Sequence, residues 1–478
     1  MRNANGSGHE QRRQTDGPGK DEVNRMNDFR KTAQEMLEFI RISPTCFHAV
    51  ANIGRMLEAA GFQQLQEKEE WKLEKGGRYY TERNDSSVIA FVIPEKEVGI
   101  RGFHMAAAHS DSPCFKIKEK PELTVEEHYL RLNTEKYGGM ILSTWLDRPL
   151  SVAGRLAVKN GNGIEGRLVN IDRDLCVIPN VAIHMNREMN KGVEYNPQVD
   201  LLPLLADVSF DEYDTHTTYD AQNASENAEE QPETVEKPTL AALAAEAAGV
   251  DAETILGEDL FLYTRQEGKM IGAKGEFVLS PRLDDLQSAF ALTKAFTEST
   301  PAEYINLCAV FDNEEVGSGT RQGADSTFLE DTLQRITEGL QEGHSTYLRW
   351  VADSFLISAD NAHAVHPNHP EKADPANRPY LNGGIVIKYH GSQKYTTDGI
   401  SAAKMKDYCE RAKVPYQTYA NRSDIAGGST LGNISTAHVS VSSVDIGLPQ
   451  LAMHSAVETA GMKDTEYAVR ALKEFWGE

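Results

Sequence analysis

Six side chains spread over most of the chain have the types that a two-metal hydrolytic site needs: His109, Asp284, Glu314, Glu315, Asp360 and His454. Carboxylate oxygens and imidazole nitrogens without thiolates suit zinc, manganese or cobalt. His109 ends the apolar run 102–108 and opens His109-Ser110-Asp111. Side chains alternate along extended backbone, so Asp111 lies on the same side as His109 and can hold the ring nitrogen that faces away from a metal. Asp284 and Asp285 precede an amphipathic helix beginning near Leu286. Asp285 reads as its N-cap, which leaves Asp284 free to bridge two cations about 3.5–4 Å apart. Glu314 and Glu315 follow the apolar run 305–311 through Asp312-Asn313. Adjacent side chains diverge, so one of the pair can bind metal while the other acts as general base. Asp360 ends the apolar run 355–359, and His363 and His366 beyond it read as polar contacts to substrate or structure. His454 follows the run 441–446 and the Pro449 turn, where a helix is expected to begin.

For these groups to meet, each must stand at the carboxyl end of a buried strand, where open α/β sheets place their ligands. Helical periodicity covers 26–40 and 47–60, and strands are expected at 88–93 and 102–108. From 117 to 203 the texture changes to short strands and turns: 129–132, 150–158, the Asn160-Gly161-Asn162-Gly163 hairpin signal, 166–171 and 181–184. The chain therefore reads as an α/β catalytic domain (26–116 and 256–478) interrupted by an inserted β-rich domain (117–255), after a disordered tail (1–25). Residues 207–236 carry ten acids and no Lys or Arg, the composition of a mobile surface loop. A helix is expected at 241–248, closed by Gly249.

Gly427 and Gly428, in Gly427-Gly428-Ser429-Thr430-Leu431-Gly432, read as a close approach of backbone to a small ligand. No P-loop lysine, no G-x-S-x-G elbow and no plausible cysteine nucleophile accompanies them. A formal net charge of -23 argues against nucleic acid or an anionic membrane as partner, because both repel an acidic surface. Five widely spaced cysteines without C-x-x-C, no signal-peptide pattern and no membrane-length apolar run lead to a cytoplasmic expectation.

Five motifs, in order, carry a resemblance: A-H-S-D-S-P at 108–113, S-P-R-L-D-D-L at 280–286, D-N-E-E-V-G-S at 312–318, S-A-D-N-A-H-A-V-H-P-N at 358–368 and M-H-S-A-V-E at 453–458. Together they resemble the M18 family of metalloaminopeptidases, of the aspartyl aminopeptidase-like kind, from about Asp28 to the end. The resemblance implies a phosphorylase/hydrolase-like zinc-exopeptidase α/β domain with an inserted dimerisation domain. It implies two divalent ions, zinc with manganese or cobalt as alternatives. His109 and Asp360 would hold one ion, Glu315 and His454 the other, with Asp284 bridging. Glu314 matches the general base and Asp111 the support of His109. His184 matches an imidazole supplied by a neighbouring subunit, and Lys388 a lysine near the substrate side chain. Members commonly build dodecamers from dimers and remove acidic or bulky apolar N-terminal residues from peptides. Asp285 departs from the family, where Asn is frequent. The rivals are another di-metal amidohydrolase (a deacylase or carboxypeptidase) and a non-catalytic assembly protein, which loss of Glu314 or of a ligand would favour.

Overall fold

The computed structural model describes residues 20–95, 99–208, 239–425, 427–428 and 430–478, with side chains from residue 25 onward. Strands and helices are numbered in chain order. The large sheet has nine strands, in the order β1 (Gln63–Gln64), β2 (Arg78–Arg83), β3 (Ser87–Val92), β13 (Ile305–Phe311), β4 (Phe103–His109), β14 (Phe355–Ala359), β18 (Ser442–Gly447), β16 (Ile385–Tyr389) and β17 (Tyr416–Ala420). Its centre, β13, β4, β14 and β18, is parallel, with Phe311 opposite His109 and Ser358 opposite Ala107 and Asp445. These strands therefore deliver their following residues to one edge.

The parallel strands are apolar almost throughout because both faces are covered. On β4, Ala106 and Ala108 face one core while Met105 and Ala107 face the other. The first core is closed by α1 (Lys20–Arg41), α2 (Cys46–Ala59), α4 (Leu283–Thr297), α7 (Gly399–Arg411) and α9 (Asp464–Trp476). The second is closed by α5 (Phe328–Gly339), α6 (His344–Ala352) and α8 (Leu431–His438). Helix α1 starts at Lys20, inside the expected tail; the rest of that tail lies outside the described residues.

A six-stranded antiparallel sheet runs β8 (Gly163–Asn170), β7 (Leu150–Asn160), β10 (Ile255–Thr264), β5 (Cys114–Val125), β6 (Tyr129–Tyr137) and β9 (Leu204–Asp207). Its core has its own residues, including Phe115, Trp145, Leu156 and Leu262, with α3 (Leu240–Ala248) packed on it through Leu240 and Ala244. The expected hairpin pairs Asn160 with Gly163, and α3 ends at Gly249 in the left-handed region (φ 65°). The sheet extends beyond the inserted segment 117–255, because β5 begins at Cys114 and β10 runs on to Thr264. Most of the acidic segment 207–236 lies outside the described residues, which resume at 239.

A third sheet, β11 (Lys269–Ile271), β12 (Phe277–Ser280), β20 (Glu458–Gly461), β19 (Pro449–Leu451) and β15 (Ala362–His363), is small, but it links the segments that carry Asp284, His454 and Asp360. Three local expectations are corrected. Residues 181–184 form no strand; Val181 and Ile183 are exposed (49% and 46%), so their alternation has no core to face. His454 starts no helix and sits in a turn between β19 and β20 with φ 66°. Asp285 is no backbone N-cap: its Oδ2 accepts from the His109 amide at 3.3 Å and its Oδ1 has no hydrogen-bond partner, so neither oxygen caps the amides of the following turn. Among the described residues, no helix is long and apolar enough to cross a membrane.

Candidate metal centre

Strand β4 ends on His109, whose side chain is buried. Its Nδ1 lies 3.1 Å from the Asp111 carbonyl oxygen, which can only accept, so Nδ1 carries the proton. Nε2 is left with a lone pair, 3.4 Å from Asp284 Oδ1. On the other side, His454 Nδ1 donates to the Gly139 carbonyl at 3.0 Å. Its Nε2 then faces Asp284 Oδ2 at 3.6 Å and Glu315 Oε2 at 3.5 Å. Two imidazoles thus present lone pairs to different oxygens of one carboxylate.

Three sets of ligand atoms lie within 4.8 Å of one another: His109, Asp284 and Asp360; Asp284, Glu315 and His454; and His109, Glu314 and Glu315. Asp284 belongs to the two sets that contain different imidazoles without Glu314. Charge and hydrogen bonding both fit cations here. Glu315 Oε1 is buried without a hydrogen-bond partner, and so is Asp285 Oδ1. Burying an unpaired carboxylate costs several kcal/mol, and Lys388, 3.6 Å from Asp360 Oδ2, supplies a single positive charge.

Burial first, and then the neighbouring Asp284 charge, drives Glu315 well above the usual carboxylate range. Burial likewise raises Glu314, partly opposed by His109 and reinforced by Asp360 and Asp111, to about 8. For Asp284 burial pushes upward too, but the neighbouring His109 and His454 hold it below its ordinary value. Burial alone would lower His109; contacts with Asp111 and Asp284 raise it well above normal instead. The same carboxylates that favour a second proton on His109, at Nε2, favour a divalent cation there, which would displace that proton and use the lone pair.

Asp111 does more than face His109. Its Oδ1, 3.4 Å from His109 Nδ1, accepts from the Glu314 amide at 3.1 Å, and its Oδ2 accepts from the Glu315 amide at 3.2 Å. It therefore also fixes the Glu314-Glu315 turn. Glu458 went without a role in the sequence reading. Its buried carboxylate accepts from the Asp284 amide at 3.0 Å and from the His454 amide at 2.7 Å, tying the Asp284 segment to the second imidazole. The signal available was a lone acid opening the otherwise uncharged strand Glu458-Thr459-Ala460-Gly461.

His363, Gly427 and Gly428 come together around a cavity of about 460 Å³, with His366, His369, Lys372, Asp374 and Arg422 also on its wall. Leu451 and Ala452 line it too, just before His454 in the chain. Lys388 is buried and directed at Asp360; burial disfavours its charge, but Asp360 holds its pKa above the ordinary value. His184 is not brought to this chain's own centre. It sits exposed in the turn where the Met185 and Asn186 amides reach the Ala182 carbonyl.

An imidazole–carboxylate cluster at the carboxyl edge of an α/β sheet is the arrangement of a metal-dependent hydrolase. Residues 39–476 match the family described as Aminopeptidase I zinc metalloprotease (M18). The chain is 47% identical over 448 residues to a Clostridium novyi (strain NT) protein named probable M18 family aminopeptidase 2, across 93% of this chain and 98% of that one. Among solved structures it is similar to a chain of the Ape4 and Nbr1 complex, with 36% identity and a TM-score of 0.86 over 94% of this chain and 86% of that one. It is also similar to the yeast mApe1 dodecamer, with 26% identity and a TM-score of 0.77 over 94% and 97% of the two chains. The chain belongs to the M18 family of metalloaminopeptidases.

Proposed function

We propose that this aminopeptidase releases acidic N-terminal residues from peptides at a centre of two divalent ions, with Glu314 as general base. The observation that carries this reading is the pair of imidazole Nε2 atoms facing opposite oxygens of Asp284. His109 and Asp360 would hold one ion, Glu315 and His454 the other, and Asp284 would serve both. When bound, the ions supply a Lewis acid for the scissile carbonyl and a potential under which water ionises near neutral pH. Glu314 accepts the proton of the attacking water and returns it to the leaving amine. Its carboxyl is pushed up to about 8 by burial, and Asp111 fixes its backbone by accepting from the Glu314 amide. Zinc is the natural first choice of ion, given the family's description.

The cavity beside His363, Gly427 and Gly428 supports a preference for acidic over bulky apolar residues. Lys372, Arg422 and three imidazoles line it against one carboxylate, Asp374, although Arg422 and His369 are also paired with Asp424 and Glu371. Asp374 Oδ1 already accepts from the amides of Ala376 and Asn377 at 3.0 and 2.7 Å. Five free cysteines, four of them buried, are consistent with a reducing compartment such as the cytoplasm.

His184 serves a second copy, where it donates to the oxyanion that develops on the scissile carbonyl. The exposed Val181, Ile183 and Met185 around it support a covered surface, and the six-stranded sheet is then the dimerisation unit of a larger assembly, the dodecamer of its yeast relative being the pattern. The test is hydrolysis of an aminoacyl-amide panel (Asp, Glu, Leu, Lys, and an N-acetylated Asp control) by metal-stripped enzyme re-loaded with zinc, manganese or cobalt. Cleavage of Asp and Glu amides, dependent on metal and on a free amine, is expected. Cleavage of the acetylated control would move the activity to a deacylase or endopeptidase.

A further inference from the structure

The two proposed halves of the centre come from the large sheet and its connections, yet both rest on one short piece of the other sheet. Tyr137 is the last residue of β6. Its hydroxyl donates to Asp111 Oδ2 at 2.7 Å and accepts from Asn313 Nδ2 at 2.9 Å. Asn313 is itself fixed, because its Oδ1 accepts from Thr320 Oγ1 at 2.7 Å and Gln322 Nε2 at 2.8 Å. The ring packs edge-on to Phe261 of β10, 5.6 Å between centroids. This anchors it in the six-stranded sheet.

Gly138 follows in the left-handed region (φ 79°), where a Cβ would lie 3.2 Å from the Glu315 Cβ and 3.4 Å from the Glu315 carbonyl oxygen. Only glycine lets this backbone pass so close to that side chain. Gly139 then offers its carbonyl to His454 Nδ1, and the Ile141 amide returns a bond to the His454 carbonyl at 2.9 Å. A little further on, Thr144 Oγ1 accepts from the Ala456 amide at 2.9 Å. In consecutive residues the chain touches the support of His109, the flank of Glu315 and the imidazole of His454.

We infer that Tyr137, Gly138 and Gly139 form a positioning element for the metal centre, by which the six-stranded sheet orients both imidazoles and spaces Glu315. The inference rests on the two-ion reading above. These residues touch neither substrate nor ion; they act through Asp111, Glu315 and His454. A ligand's own hydrogen-bond partner sets its orientation and basicity, and losing one weakens metal affinity about 10–100-fold. Tyr137 acts through Asp111 on His109 and, because the same Asp111 oxygen accepts from the Glu315 amide, on Glu315 as well; Gly138 acts on the Glu315–His454 half alone.

The experiment is a stepwise zinc titration of metal-free protein by calorimetry, comparing the natural sequence with Tyr137→Phe and Gly138→Ala. It is run at a temperature where circular dichroism finds all three fully folded. Tyr137→Phe is expected to weaken zinc binding about tenfold or more, at one step or at both. Gly138→Ala is expected to weaken one step only, and excess zinc should restore much of kcat in both. A merely structural role would lower thermal stability without moving the zinc affinities of the folded protein. Unchanged affinities in Tyr137→Phe therefore overturn the inference, as does failure of both variants to fold. If only Gly138→Ala misfolds, Tyr137→Phe decides. A natural sequence that binds no zinc at all would instead overturn the two-ion reading.

Discussion

At the scale of single residues, Glu314 and Asp284 are told apart by what each loss would remove. Glu314→Gln keeps the side chain's shape and one accepting oxygen but cannot take a proton. Its kcat should fall about a hundredfold to ten-thousandfold with both ions retained, measured as kinetics beside elemental analysis. Asp284→Ala should leave fewer than one tightly held ion per chain, because its two oxygens serve both imidazole sets; two retained ions would refute the bridge. These residues were legible in the sequence because a charged group ending a seven-residue buried strand has few bland uses: β4 into His109 and β13 into the turn before Glu314. Tyr137 and Gly139 were not legible. Their contacts with Asp111 and His454 depend on how two sheets meet, and no local period encodes that. His454 was misread for a related reason: a left-handed backbone at a non-glycine costs about 1–2 kcal/mol, and it is held by Glu458, four residues on, and by distant Gly139.

At the scale of elements, hydrophobic period and turn chemistry predicted most strands and helices. They failed at 181–184, where apolar alternation meets solvent rather than a partner strand. Strand β2 offers a test of burial against charge. Glu82 on β2 is mostly buried, and burial, followed by the like charges of Asp85 and Glu58, pushes its carboxyl up to about 7. An unfolded chain releases that proton near 4.5. Between those values the folded state binds one proton more, so stability falls as pH rises through the interval and levels off above it. Glu82→Gln mimics the protonated form. It should be close to neutral at pH 4.5 and stabilise the protein by up to about 3 kcal/mol at pH 8, read as denaturant midpoints at the two pH values. A stabilisation equal at both would remove Glu82's charge as the cause.

At the scale of the whole molecule, the shared-site reading predicts complementation. His184→Ala should lower kcat with ion content and oligomer size unchanged. Mixing it with Glu314→Gln and allowing subunits to exchange should then recover activity, since one site of a mixed dimer pairs an intact Glu314 with a borrowed His184. No recovery despite demonstrated exchange, or a fully active monomer, would end that idea. The fold's connectivity has another consequence, for the order of events during synthesis. Strands β18, β19 and β20, the His454 turn and Glu458 are the last pieces before α9, while β4, which they help complete, is made early and waits for β13 and β14 as neighbours. Contacts this distant along the chain form late in folding. A nascent chain that has already delivered His109, Asp284, Glu314, Glu315 and Asp360 still lacks the second imidazole and the carboxylate that seats it. Synthesis interrupted before His454 would therefore leave the proposed second ion site unformed, so a copy broken there would be a silent one rather than a stray peptidase.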